Sequence, residues 1–180
     1  LLADEETCAA LYETAQDVLA AAGLPAYEIS NHAAPGEQSR HNLAAWRGGD
    51  YLGLGPGAHG RLTLEDGRRI ATIAERKPEV WLEGVAKDGA GLSSDETLSP
   101  RAHAQELFLL GLRTVEGVPH ERLAAALGKN LDDLFAEQIL NRAALERLQR
   151  HGFLCLDETG IRATREGRQR LDALLGQLLA

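Results

Sequence analysis

The chain has 180 residues, a net charge of −8 and two cysteines, Cys8 and Cys155, far apart with no CxxC or CxxxCxxC spacing. This length holds one large or two small domains. It excludes a disulfide scaffold, a Cys-type zinc site and a self-contained iron–sulfur cluster on cysteine count, and the acidic balance argues against a general nucleic-acid binder.

The 28 Ala and 31 Leu predict a helix-dominated chain. No apolar run reaches the roughly 18 residues of a membrane span, and two sparse cysteines fit a reducing, cytoplasmic setting. There is no methionine, and Leu1-Leu2-Ala3-Asp4 already reads as helix; the expectation is a piece of a longer chain. Residues 3–22 predict an amphipathic helix, with Cys8, Leu11, Tyr12, Ala15, Val18, Leu19 and Ala22 as its apolar stripe, stopped by Gly23. Pro25–Ser30 predicts a short strand, so that helix, glycine and strand form one unit of an α/β layer. A turn-rich stretch follows, with a short helix around Asn42–Trp46. Tyr51–Leu54 predicts a second strand running into Gly55–Gly60. Glu65-Asp66-Gly67 predicts a hairpin turn between Arg61–Leu64 and Arg68–Ile73, and a helix carrying Val80, Trp81 and Val85 follows Pro78.

Gly89-Ala90-Gly91 and the polar Ser93–Thr97 mark a predicted domain boundary between 1–91 and 92–180. Ser99-Pro100 is an N-cap with proline in the first turn of a helix running to about Thr114. Helices follow over Pro119–Leu127, Leu131–Phe135 and Ile139–Arg150. A hairpin joins Phe153–Leu156 to Ile161–Ala163, and the last helix presents Leu171, Leu174, Leu175 and Leu178 on one face. This half predicts a mainly α, winged-helix-like domain.

Four constellations have chemical potential. In Arg40-His41-Asn42-Leu43-Ala44-Ala45-Trp46, His41 offers an imidazole to a metal or haem iron and Trp46 a flat apolar wall. The alternative is that Asn42 caps a short helix and Trp46 fills a core gap. In Gly53–Gly60 the glycines permit close backbone approach to a ligand, or simply a tight strand exit; the GxGxG spacing followed by a hairpin rejects a dinucleotide fingerprint. His32, His41 and His59 all follow predicted strands and either converge or are unrelated. Finally, residues 142–170 hold seven Arg against four acidic residues, either a phosphate-contacting patch or a solvated surface with pairs such as Arg142–Glu146.

Read together, Tyr27-Glu28-Ile29-Ser30-Asn31-His32, then Arg40-His41-Asn42-Leu43 with Trp46, then Tyr51-Leu52-Gly53-Leu54-Gly55-Pro56-Gly57-Ala58-His59 closely resemble the C-terminal half of the HemW family of radical S-adenosylmethionine proteins. The resemblance continues through Gly152-Phe153 and Gly160–Arg168, similar to the small C-terminal domain shared with the oxidase HemN. It implies an α/β plus mainly α fold: residues 1–91 as the last elements of a partial (β/α) barrel, then a helical, winged-helix-like domain. It implies haem bound at His41, Asn42 and Trp46, with His41 towards the iron, and S-adenosylmethionine near Gly57, Ala58 and His59. The [4Fe-4S] ligands would lie in a missing N-terminal half, leaving this piece inactive alone. Ala45 stands where the family pattern HNxxYW has Tyr. The true oxidase lacks that pattern, so the resemblance favours a haem chaperone serving respiratory haem proteins over an oxygen-independent coproporphyrinogen III oxidase. A winged-helix nucleic-acid module is a remote third reading. The remaining expectations are no nucleic-acid partner, at most peripheral membrane contact, and a homodimer through an exposed sheet edge in the first half.

Overall fold

A computed structural model describes residues 4–179. Helix α1 spans Glu5–Ala21, started by the Asp4 carboxylate, which accepts from the Thr7 amide; the predicted beginning at Ala3 lies outside the described residues. No residue of α1 is buried, and Leu11 and Val18 on the predicted apolar stripe are 61% and 62% exposed. The helix is held by two acidic residues beside the stripe and by the polar tip of Tyr12 on it. Asp17 and Glu13 engage Arg165 and Gln169, and the Tyr12 hydroxyl donates to the Ile29 carbonyl at 3.0 Å.

Two predicted strands do not form. Over Pro25–Ser30, Glu28 folds back to accept from the Ser30 amide at 2.7 Å and the Asn31 side chain at 2.6 Å. The chain therefore reverses, leaving single bridges from Ala26 to His32 and from Glu28 to Thr114. Over Tyr51–Leu54 only Tyr51 pairs, with Arg61. The segment then crosses the His59 backbone so closely that a Cβ at Gly53 would lie 2.3 Å from the His59 carbonyl oxygen.

The predicted hairpin forms as β1 (His59–Thr63) and β2 (Arg69–Ala74), antiparallel with Thr63 opposite Arg69. After α3 (Pro78–Asp88), the polar stretch expected to mark the domain boundary lies in strand β3 (Leu92–Thr97), which completes a sheet of order β1-β2-β3.

The second half follows its predicted order. Helix α4 (Pro100–Gly111) is capped by Ser99 and ends three residues before the expected Thr114. Strand β4 (Val118–Pro119) leads into α5 (His120–Leu127), then α6 (Leu131–Ala136) and α7 (Arg142–Arg150). Helix α7 begins at Arg142 rather than Ile139, because Asn141 caps it and Gln138 takes a left-handed φ of 55°. Strands β5 (Leu154–Leu156) and β6 (Gly160–Ala163) pair with β4 in the order β4-β6-β5, and α8 (Arg165–Gln169) and α9 (Leu171–Leu178) close the chain.

The apolar core lies here. Leu107 and Phe108 of α4, Leu123, Leu134, Leu145 and Leu148, Ile161 of β6, and Leu174 and Leu178 of α9 are all buried in one cluster. The fold is thus mixed α/β, with two small sheets and a predominantly helical second half. No helix among the described residues is long and apolar enough to cross a membrane.

Candidate functional site

Helix α2 (Arg40–Trp46) carries the first constellation. Its cap is Ser39, whose hydroxyl accepts from the Asn42 amide at 3.3 Å, so Asn42 is not the cap. The helix stops where Gly48 turns left-handed at φ 72° and the Gly49 amide closes onto the Ala44 carbonyl at 2.8 Å.

At about 100° per residue, His41 and Trp46 project roughly 140° apart around the helix. His41 is exposed, in a shallow depression lined by Arg40, Leu43, Ala44 and Arg47. Asn42 and Trp46 make contacts away from that depression. The Asn42 amide donates to the Tyr27 hydroxyl at 3.4 Å, and the Arg113 guanidinium stacks 4.5 Å from the centre of the Trp46 ring. Arg113 also approaches the fully buried Glu28, with Nη2 at 3.7 Å from Oε2. The His41-Asn42-Trp46 trio is therefore split: one residue faces outward, and two belong to a network that ties α2 to the turn at Glu28 and the end of α4.

Arg47, at the end of α2, makes a bidentate pair with Glu116, Nε to Oε1 at 2.7 Å and Nη2 to Oε2 at 2.8 Å. Arg122 shares the same carboxylate at 2.5 Å. A second depression adjoins the first through Ala44 and Arg47 and includes Asp50, Arg69, His103 and Arg122. Buried Arg69 binds Asp50 at 3.0 Å and the Gly49 carbonyl at 3.1 Å, while Arg61 clamps Glu106 at 2.7 Å. Burial, reinforced by Arg69, pushes the His103 imidazole below its ordinary value.

The Arg47 hydrogen bond, with Arg122 in support, holds the Glu116 carboxyl below the usual carboxylate range. A folded-state value lowered in this way contributes stability above the unfolded value of 4.5 and loses it as pH falls through the folded value. The expected result is that wild type loses more stability than Glu116→Gln between neutral pH and the acid range. Urea midpoints measured across that window check it, and parallel losses would refute the assignment.

The glycine run packs chiefly against the chain itself. The Gly57 amide donates to the Glu75 carbonyl at 2.8 Å, and the Ala58 amide to the Gly55 carbonyl at 3.2 Å. Gly55 and Gly57 take φ 101° and 71°, with nothing within 4 Å of a Cβ at Gly55. His59 is exposed at the start of β1. His32, His41 and His59 form no group able to hold a metal ion among the described residues.

The basic stretch is largely engaged. Arg142 pairs with Asp132 rather than Glu146, Arg162 with Asp157 at 2.6 Å and Arg165 with Asp17 at 2.6 Å, while Arg147 binds Gln177. Sequence reasoning did not single out Glu28 or Arg113. Glu28 stands inside a quoted motif, but Arg113 has no local signal, since its partners are distant in the chain.

Residues 98–170 match the HemN C-terminal domain family. The chain is 36% identical over 179 residues to the mitochondrial radical S-adenosyl methionine domain-containing protein 1 of Danio rerio, covering 97% of this chain and 39% of that protein. It is 33% identical to the heme chaperone HemW of Escherichia coli K12, covering 100% of this chain and 44% of the relative. The Bacillus subtilis 168 heme chaperone HemW is 30% identical, with 98% and 45% covered. The chain thus spans less than half the length of these relatives. Among solved structures, the coproporphyrinogen III oxidase HemN of Escherichia coli, described as a radical SAM enzyme, matches with a TM-score of 0.69 at 17% identity, over 97% of this chain and 41% of that one. That likeness shows a shared fold.

Proposed function

Because the chain belongs with the C-terminal portion of the radical S-adenosylmethionine family of HemW and the coproporphyrinogen III oxidase-like proteins, we propose that it serves a haem chaperone, binding haem as cargo for delivery to respiratory haem proteins. In this reading residues 1–91 supply the last elements of the radical S-adenosylmethionine barrel, with β3 completing their sheet, and the rest of 92–180 forms a winged-helix-like domain. The setting is cytoplasmic, with no nucleic-acid partner and at most peripheral membrane contact. The homodimer expected through a sheet edge of the first half would use the sheet that β3, just past residue 91, completes; sedimentation at rising concentration tests it, and a monomer throughout removes that element.

The observation that carries the reading is the exposed His41 imidazole in the depression on α2. A neutral imidazole is an axial donor for haem iron. Asn42 and Trp46 act from behind, fixing the helix that presents it, and Ala45 contributes no phenol. S-adenosylmethionine and the [4Fe-4S] cluster would supply the radical chemistry of the family. Here Gly57, Ala58 and His59 fit only as a wall for S-adenosylmethionine, because the Gly57 and Ala58 amides are already paired. The exposed Cys8 and Cys155 do not fit a cluster, so this chain by itself is inactive in that chemistry.

Haem titration of the full-length protein is the test. Wild type is expected to shift the Soret band, and His41→Ala to bind at least roughly tenfold more weakly, about 1.4 kcal/mol. Indistinguishable titrations would overturn the assignment of His41. The HemN C-terminal domain match keeps the oxidase as a second reading, and conversion of coproporphyrinogen III by the reconstituted protein would favour it.

A further inference from the structure

We infer that the outer face of α2 reads the carboxylate edge of the porphyrin, with Arg40 and the Arg47–Glu116–Arg122 triad as its anion-binding elements; the inference rests on the haem reading above. Arg47 stands seven positions after Arg40, so both fall on one stripe of the helix, with Ala44 between them. Together with His41 and Leu43 they line one depression. Arg40 is exposed and makes no ion pair among the described residues.

Arg47 is not a free cation, but it is not neutralised either. Two guanidiniums, Arg47 and Arg122, share the single Glu116 carboxylate, which leaves one net positive charge beside the depression. Glu116 fixes Arg47 in place, so holding an incoming carboxylate there costs less side-chain freedom than recruiting an unanchored arginine.

A ligand for this surface needs a metal centre for His41, a flat apolar body for the Leu43 and Ala44 floor, and two anionic groups for the flanking cations. Ferric haem with both propionates ionised has all three. Ala44 matters by its size: a longer side chain there would hold a planar ligand away from the stripe. The two arginines are positioning and specificity residues, and the iron contact is left to His41.

Haem and its dimethyl ester, in which both propionates are neutral, separate the contributions. With the full-length protein, haem is expected to bind about tenfold tighter than the diester, as for charge-assisted pairs at a partly exposed site, and added salt should narrow the gap. Arg40→Gln should bring haem towards the affinity of the diester and leave the diester unchanged, while Arg40→Lys should keep part of the preference. Arg47→Gln, checked for folding by its thermal melt, should act in the same direction. Equal binding of haem and diester by wild type, or a preference that survives Arg40→Gln, would overturn the inference with the haem reading intact. Failure of both compounds to bind wild type would remove the haem reading itself.

Discussion

Glu28→Ala is expected to cost about 3 kcal/mol of folding stability, the scale of leaving buried donors without their acceptor. Glu28 is fully buried, and its Oε1 accepts from the Ser30 amide and the Asn31 side chain. Its Oε2 faces Arg113 at 3.7 Å. Alanine removes the acceptor for two donors and the counter-charge for a guanidinium whose Nε is itself buried without a partner. The consequence reaches the site because the same guanidinium stacks on Trp46. Glu28→Ala should therefore also change the emission of Trp46, read against a Trp81→Phe background, and weaken whatever binds at His41. Glu28→Gln keeps one acceptor and should lose less. Denaturant unfolding measures the stability; a loss under about 1 kcal/mol, the size of a surface pair, would show that the network does not couple the two halves.

The second large effect is expected at Gly117. Its φ of +71° is the left-handed conformation, and a Cβ there would meet the Ile161 carbonyl oxygen at 2.1 Å and the Arg162 Cα at 2.6 Å. Left-handed strain and overpacking each cost about 1–3 kcal/mol, so Gly117→Ala should lose about 4 kcal/mol. The contact is between backbones across the β4–β6 pair, where Val118 faces Ile161, and no side-chain rotation relieves it. Gly128→Ala is the internal control. Its φ is also left-handed at +64°, but nothing lies within 4 Å, so only about 1 kcal/mol is expected. Equal losses at the two positions would show that conformation rather than contact governs Gly117. Because Glu116 precedes Gly117 and clamps Arg47, the variant should also loosen the outer face of α2.

Much of the local order was legible because it rests on local physics. Ser99-Pro100 capped α4, Asp66-Gly67 turned the β1–β2 hairpin, and the leucines at 171, 174, 175 and 178 all point into the core. Strand β3 was not legible. Leu92-Ser93-Ser94-Asp95-Glu96-Thr97 has no apolar alternation and is mostly exposed, and its pairing with β2 comes from backbone hydrogen bonds that any sequence can make. The opposite error at Pro25–Ser30 has a matching cause: the residues suit a strand, but the Glu28 carboxylate supplies acceptors that a straight strand would leave to a neighbour.

The apolar stripe of α1 was legible as a pattern, but pattern does not name a partner. In this chain Glu13, Asp17 and the Tyr12 hydroxyl make the contacts, while Leu11 and Val18 of the stripe remain exposed.

By itself the sequence determined the helical character, the order of nearly every element in the second half, and the motifs that relate the chain to its family. It also determined that two distant cysteines cannot build a cluster, since ligand count is a property of composition. Only the tertiary structure decided what the Arg40–Trp46 motif does with its side chains. Helical geometry turns His41 outward and Trp46 away from it, and contacts between residues distant in the chain, Arg113 with Glu28 and Glu116 with Arg47, set the charge on either side of the helix. Those pairings depend on the packing of α4 against α2 and on the turn that follows α4, and no spacing within a local motif encodes them.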